Sequence, residues 1–105
     1  MKEPIVVYVS AASEQESVTI ARALVQERLA ACVSIIPKIR SIYRWDKTIC
    51  DESEYYLIIK TRRQLFPALE RRVKTLHSYA VPEIIALSIL QGSDDYLEWI
   101  FEETV

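Results

Sequence analysis

The side chains best suited to chemistry lie around the single histidine of the chain. His77 could bind a metal ion through its imidazole. Tyr79 and Glu83 follow it, and Lys60 is predicted to lie near the same end of the sheet. If these groups converge, a phenol, a carboxylate and an ammonium group could hold a small anion or metabolite. Two plainer interpretations stay open: His77 caps carbonyl groups at a helix end, and Lys60 forms a structural ion pair with Glu83.

The pattern of a catalytic nucleophile is missing from the sequence. Ser10, Ser13 and Ser78 lack the context of a nucleophile elbow or a catalytic triad. The two cysteines, Cys32 and Cys50, are too far apart for a CxxC motif, so neither a redox motif nor a zinc knuckle is indicated. We therefore predict that the protein is not an enzyme.

Composition narrows the possible partners. A chain of 105 residues predicts a single domain, residues 1–105, and 13 basic against 15 acidic residues imply no polyanion partner. The pairs Arg62-Arg63 and Arg71-Arg72 therefore indicate solvated surface and not a nucleic-acid site. The apolar run at residues 5–9 is too short to span a membrane and lacks the flanks of a secretion signal. We expect a cytoplasmic protein that binds neither nucleic acid nor membrane.

A long two-armed ribbon must position these side chains. In its first arm, from Cys32 to Trp45, apolar side chains occupy mainly odd positions, which is the pattern of a strand with one buried face. The second arm, residues 55–59, is apolar on both faces, which predicts a strand covered on both sides. Pro37 cannot donate to a strand ladder, so it marks an edge or a bulge.

The other elements follow from apolar periodicity and capping signals. Ser13 and Glu16 form a capping box, and Ser93 is the cap of a short helix near the end of the chain. The predicted elements outside the ribbon are a strand over residues 5–9, a helix over 14–30, a helix over 64–77, a strand over 84–90 and a helix over 94–103.

This order of elements predicts an α+β fold, the ferredoxin-like split βαβ arrangement with an antiparallel sheet and a short C-terminal helix. A right-handed crossover places the first two strands parallel to each other. Because this fold hosts many unrelated functions, it does not name one.

The length of the ribbon predicts assembly. Fourteen residues from Cys32 to Trp45 span ~45 Å, whereas the first helix is only about 25 Å long. An apolar patch beside unpaired strand edges would remain at the far end, formed by Ile42, Tyr43, Trp45 and Ile49. We expect partner subunits to cover it in a closed homotrimer.

Several strings together resemble the CutA divalent-cation tolerance family. They are Ala30-Ala-Cys-Val-Ser-Ile-Ile-Pro37, Ser41-Ile-Tyr-Arg-Trp45, Leu57-Ile-Ile-Lys-Thr61, Leu76-His-Ser-Tyr-Ala-Val-Pro-Glu-Ile-Ile-Ala86 and Asp95-Tyr-Leu-Glu-Trp99. The resemblance covers nearly the whole chain. It implies a ferredoxin-like fold, a homotrimer similar in architecture to the PII signalling proteins, and a role in tolerance of divalent metals, copper especially.

The resemblance also implies where a metal would bind. Family members that bind copper use a cysteine and two adjacent histidines, and the matching positions here are Ser10, Leu76 and His77. One of the three ligands remains, and a hydroxyl replaces a thiolate, which weakens a preference for copper. We therefore expect weak binding of Cu²⁺ or another divalent cation through His77 and Glu83.

A cleft between subunits is the second site that the resemblance implies. Its lining is formed by Tyr43, Trp45, Lys60, Tyr79 and Glu83. The alternative to a metal-linked protein is a PII-like signalling or scaffold trimer that binds a small anionic metabolite in this cleft.

Overall fold

Four strands and three α-helices form an α+β fold of the ferredoxin-like type in the computed structural model, which describes residues 2–105. The elements are β1 (Pro4–Ala11), α1 (Glu14–Gln26), β2 (Cys32–Trp45), β3 (Thr48–Arg62), a 3₁₀ turn (Arg63–Leu65), α2 (Phe66–Leu76), β4 (Ile84–Ser88) and α3 (Asp94–Glu103). The predicted order of elements is confirmed.

The strands form one sheet in the order β2-β3-β1-β4. Each neighbouring pair is antiparallel. Since β1 and β2 both run antiparallel to β3, they run parallel to each other, as the crossover predicts. The two edges of the sheet are β2 and β4.

The core lies between one face of the sheet and the helices α1 and α2. Val7 and Val9 of β1 and Leu57 and Ile59 of β3 are fully buried. They form one cluster with the apolar stripes of the helices, whose fully buried members are Ile20, Leu24, Leu69 and Val73. Apolar burial on this face is the main contribution to stability.

The other face of the sheet is only partly covered within the chain. Tyr8 and Tyr56 stack there with ring centroids 5.5 Å apart, and Ile85 and Leu87 of β4 are about half exposed. In the second arm of the ribbon, Tyr56 and Ile58 on this face are half-buried, so the expectation that this arm is covered on both sides is met only in part within the single chain. Neither α1 nor α2 packs over the apolar residues of this face.

Helix α1 begins as predicted but ends four residues early. The Ser13 hydroxyl accepts the amide hydrogen of Glu16, while the Glu16 carboxylate accepts that of Ala12. At the other end Arg28 has a φ of 60°, and Leu29 donates to the Leu24 carbonyl. This is a Schellman ending, which glycine usually makes.

The ribbon of β2 and β3 has the predicted bulge. The register between the strands shifts between Ile36 and Ile39, beside Pro37, and Lys38 has a φ of 56°. The second arm is longer than the apolar run alone indicated, because residues 48–54, which are mostly polar, also pair with β2. The two arms are joined by a two-residue turn, since Trp45 pairs with Thr48.

In the second half of the chain, the observed helices and strands differ from the predicted ones mainly in the residues where they begin and end. Helix α2 starts at Phe66 after the 3₁₀ turn, with Pro67 in its first turn, and His77 is its C-cap residue. Strand β4 stops at Ser88, and Leu90 lies in solvent. Ser93 caps α3 by accepting from the Tyr96 amide, as expected.

Candidate functional site

A cleft of about 710 Å³ lies between the far end of the ribbon and the loop that joins α2 to β4. We call it the tip cleft. Its lining residues are Ser10, Ser41, Ile42, Tyr43, Trp45, Glu54, Ser78, Tyr79, Ala80, Val81 and Glu83. The volume is in the range of small-molecule sites.

The sheet register decides which residues reach the tip cleft. Val9 pairs with Leu57 on one side and with Ile84 on the other, and Ser10 pairs with Tyr56. The loop of residues 77–83, which precedes Ile84, therefore lies level with the part of β3 around Glu54. Four of the five predicted cleft residues, Tyr43, Trp45, Tyr79 and Glu83, are brought together here.

Lys60 lies outside the tip cleft and away from the end of the sheet where His77 lies, which corrects the expectation that the two share one end. Its ammonium group lies 3.3 Å from the Ser34 hydroxyl and 4.0 Å from the Cys32 sulfur, at the start of β2. Lys60 is four residues beyond Tyr56 along β3, which corresponds to about 13 Å. The ion pair with Glu83 does not form, because the Glu83 carboxylate accepts from the Tyr56 hydroxyl at 2.6 Å.

His77 is a fully buried side chain whose two ring nitrogens both have partners. Nε2 lies 2.6 Å from the Ser10 carbonyl oxygen, which can only accept, so Nε2 carries the hydrogen. Nδ1 accepts the amide hydrogen of Tyr79 at 3.1 Å. This neutral tautomer fixes the start of the loop to the end of β1, in agreement with a helix-terminal histidine in a structural role.

Glu16 anchors the same loop from the first turn of α1. Its carboxylate accepts from the Ser78 amide and from the Ser78 hydroxyl, and it lies 3.9 Å from Nδ1 of His77. Burial of this carboxylate raises its pKa, but the hydrogen bonds from Ala12 and Ser78 outweigh burial, so that the pKa of Glu16 is lowered. The loop wall of the tip cleft is thus held by polar contacts.

Three phenol–carboxylate pairs surround the tip cleft. The Tyr79 hydroxyl donates to Glu54 at 2.7 Å, Tyr56 donates to Glu83, and Tyr43 donates to Glu52. Burial raises the pKa of Tyr79, and its hydrogen bond to Glu54 raises it further. The pKa of Tyr56 is raised by burial and then by Glu83. These phenols stay protonated at neutral pH, and their hydrogens point at carboxylates.

Glu54 is the lining residue that the sequence did not single out. Only 6% of its surface is exposed, although it stands in a polar run of β3. A buried carboxylate requires a hydrogen-bond donor, and Tyr79 supplies it. The pairing joins residues far apart in the chain, so the only available signal was a single glutamate just before the apolar part of a strand.

The copper ligands that the resemblance implies do not fit the residues found here. At the matching positions, Leu76 is apolar, the Ser10 carbonyl accepts from His77, and His77 has no ring nitrogen free. Across residues 2–105, no three His, Cys, Asp or Glu side chains lie close enough to hold a metal ion together. The charged groups that remain available in the tip cleft are the carboxylates of Glu54 and Glu83.

Fold and site together define a small ferredoxin-like protein with an acidic, aromatic cleft at the end of a β-ribbon. The model of the CutA1 divalent ion tolerance protein family matches residues 5–103. The chain belongs to this family. In residues 2–105, no helix is long and apolar enough to cross a membrane.

Two relatives show how far the similarity extends. The chain is 50% identical to the divalent-cation tolerance protein CutA of Thermus thermophilus over 99 residues, which cover 94% of this chain and 96% of that protein. It is 48% identical to the chloroplastic protein CutA of Arabidopsis thaliana over 100 residues, but these cover only 55% of the plant protein. The chain thus spans about half the length of its plant relative.

The fold is shared with a solved structure of the same family. The Cut A1 divalent cation tolerance protein from Thermus thermophilus superposes with a TM-score of 0.95 at 49% identity, and the match covers 97% of this chain and 99% of that one. The Thermus thermophilus protein is named for tolerance of divalent cations and not for a catalysed reaction.

Proposed function

We propose that this chain serves in divalent-cation tolerance as a cytoplasmic, non-catalytic homotrimer that binds Cu²⁺ or another divalent ion weakly. The name of the matching family and that of its Thermus thermophilus member support the link to divalent cations. The observation that carries the binding part of the proposal is the pair of carboxylates, Glu54 and Glu83, in the lining of the tip cleft. Carboxylate oxygens are suitable ligands for divalent ions, and two of them without an imidazole favour low affinity.

Glu83 is the ligand that the geometry favours, and His77 is the one that it disfavours. The Tyr56 hydroxyl contacts only Oε2 of Glu83, so the other carboxylate oxygen is available. A metal ion at His77 would have to displace either the bond to the Ser10 carbonyl or the bond from the Tyr79 amide. Weak binding would not compensate for the loss of either buried hydrogen bond.

The trimer is supported by apolar surface that the single chain leaves exposed. Ile42 and Ile49 at the far end of the ribbon are 65% and 60% exposed, and the sheet face with Ile85 and Leu87 is about half exposed. Exposed apolar surface of this kind next to two edge strands is typical of a subunit interface. Three copies related by a closed rotation would cover these surfaces.

The small anionic metabolite is a weaker candidate than the cation. The ionisable side chains that line the tip cleft are two carboxylates and two phenols, Glu54, Glu83, Tyr43 and Tyr79. Both phenols donate their hydrogens to carboxylates. Lys60, the cation on which the anion hypothesis depended, contacts Cys32 and Ser34 instead.

Isothermal titration calorimetry with Cu²⁺ on the metal-free protein tests the binding proposal. We expect a weak isotherm for the wild type and for His77→Gln, and a strongly reduced one for Glu83→Gln. Circular dichroism of each variant checks that the fold is retained. Identical isotherms for wild type and Glu83→Gln, together with loss of binding in His77→Gln, would return the metal to the imidazole and contradict the proposed ligand.

A further inference from the structure

Glu54 is a buried carboxylate that has no cation beside it in its own chain. Only 6% of its surface is exposed, and the hydrogen bond that it accepts comes from the neutral Tyr79 hydroxyl. Within residues 2–105 it forms no ion pair, and no basic residue lines the tip cleft. Burial of a charge is costly unless an opposite charge compensates it. The tip cleft therefore favours a positive group that comes from outside the chain.

Lys60 is the complementary case among the basic residues of the ribbon. Its ammonium group is half-buried, contacts Ser34 and Cys32, and forms no ion pair with a carboxylate of the described chain. Arg62, two residues further along β3, is already bonded to the end of α3. The other lysines of the ribbon are exposed to solvent, where a charge needs no partner. Lys60 is thus the lysine of the ribbon that lacks compensation.

Glu54 and Lys60 share one face of β3 but cannot meet within one chain. They alternate with Leu57 and Ile59, which belong to the core on the opposite face. Six residues of strand separate them, which corresponds to ~20 Å, more than two extended side chains can bridge. An ion pair between them can form only between two copies of the chain.

A closed ring of chains would bring the two charges together. Each contact in a ring joins two different surfaces, so the part of one sheet around Glu54 can meet the part of the next sheet around Lys60. Both parts lie on the sheet face that neither α1 nor α2 covers. Every chain would then supply one carboxylate and one ammonium group.

We propose that Lys60 of a neighbouring copy enters the tip cleft and pairs with Glu54, so that two chains complete each cleft. This inference rests on the proposed trimer and names a contact that closes it. The pair uses Glu54 alone, so Glu83 stays available as the ligand of the divalent ion.

A double-mutant cycle on assembly tests the pair. Lys60→Gln, Glu54→Gln and the variant with both changes are compared with wild type by sedimentation equilibrium over a range of protein concentrations. Guanidinium chloride is added until the wild type dissociates in part. Glutamine still accepts from the Tyr79 hydroxyl and still donates to Ser34, so each chain can keep its own hydrogen bonds.

Each single substitution should raise the concentration of half-dissociation by about tenfold or more, because it leaves a buried charge unpaired. The double variant should assemble no more weakly than the weaker single variant, since neither remaining group has a charge to lose. The matched controls are Glu70→Gln and Lys74→Gln, which remove an exposed ion pair within α2 and should dissociate like wild type.

Carbodiimide coupling is a second measurement, and it uses the unaltered protein. The reagent joins an amine to a carboxylate only where the two groups touch, and the ~20 Å of strand between Lys60 and Glu54 excludes a link within one chain. We expect mass spectrometry of the digested protein to find peptides joined through Lys60 and Glu54.

Two kinds of result would overturn the pair and leave the trimer in place. One is an assembled wild type whose two single substitutions have no effect or have effects that simply add. The other is coupling of Lys60 only to a different carboxylate, such as Glu83. A monomeric wild type would instead contradict the proposed trimer, and the pair would fail with it.

Discussion

The two halves of the ribbon, on either side of the bulge at Pro37, have opposite surroundings. In the near half, Leu57 and Ile59 are fully buried under α1 and α2. In the far half, Ile42, Trp45 and Ile49 are all more than half exposed. Both halves contain apolar residues, yet only one is covered by the chain itself. The comparison indicates that one end of the ribbon stabilises the fold of the chain, whereas the other leaves apolar surface exposed.

The largest effect is expected from Trp45→Asp. A carboxylate at the far end would be costly to bury in an interface, so the proposed trimer should dissociate into single chains or aggregate. Light scattering at micromolar concentration measures the mass, and Trp45→Phe is the conservative control that should keep three chains together. A monomeric mass for the wild type would contradict the proposed trimer, and the far half of the ribbon would then face solvent without a partner.

A cavity introduced in the near half of the ribbon should lower the free energy of unfolding. Leu57→Ala removes a fully buried side chain between the sheet and the helices, and we expect the free energy of unfolding to fall by about 3 kcal/mol. Leu90→Ala is the matched control: Leu90 is 93% exposed, and its loss should change stability by less than about 0.5 kcal/mol. Denaturant unfolding measures both. Similar values for the two variants would contradict the assignment of Leu57 to the core.

The fold could be predicted because its signals are local. Continuous apolar runs, one period-two pattern and helical periodicity located every strand and every α-helix, and the cap at Ser13 and the bulge at Pro37 were recognisable from single residues. The end of α1 was missed because Arg28, not glycine, takes the left-handed conformation. Its side chain donates to the Glu102 carbonyl and its own carbonyl accepts from Val105, contacts that join distant parts of the chain.

The site was predicted only in part, for a related reason. Trp45, Tyr79 and Glu83 line the tip cleft, whereas Lys60, which the sequence placed near the same end of the sheet as His77, does not. The register of β3 against β1 moves it away. Glu54 was missed, since its burial depends on the Tyr79 hydroxyl. Sequence patterns specify which face a strand residue occupies but not what lies level with it on the next strand.

The next prediction concerns Glu16, whose carboxylate holds the loop of residues 77–83 through polar contacts. This loop lies where the two halves of the ribbon meet. Glu16→Gln should lower the free energy of unfolding by about 1–2 kcal/mol at neutral pH, because it loses charge-assisted bonds to Ala12 and Ser78. The pKa of Glu16 is lowered in the folded protein. Its contribution is therefore complete above its ordinary value of 4.5 and is lost as the pH falls through the lower folded value.

Unfolding curves between neutral and acidic pH measure this contribution. The wild type should lose stability on the acid side more steeply than Glu16→Gln, and the two should converge at the lowest pH. Glu14→Gln, in the same helical turn, is the control for a change of charge alone. A constant difference between wild type and Glu16→Gln across the range would show that ionisation of Glu16 has no part in holding the loop.

The smallest change in the free energy of unfolding is expected at the turn that joins the two arms of the ribbon. Asp46 and Lys47 have φ angles of 48° and 63°, which is the geometry of a type I′ turn. A left-handed conformation costs a non-glycine residue about 1 kcal/mol, and glycine avoids this cost. Lys47→Gly should therefore raise the free energy of unfolding, but by only about 0.5 kcal/mol, since glycine also gains entropy in the unfolded chain.

The control is Lys47→Ala, which removes the same charge and the same flexible side chain but keeps the Cβ atom. Alanine should leave stability unchanged or lower it slightly, because the left-handed φ of residue 47 remains unfavourable. Thermal unfolding of the three proteins at one concentration compares them. If alanine stabilises as much as glycine, the effect comes from the lost lysine and not from backbone strain. If only the glycine variant is stabilised, the far half of the ribbon carries a strained turn, and favourable contacts elsewhere must offset its cost.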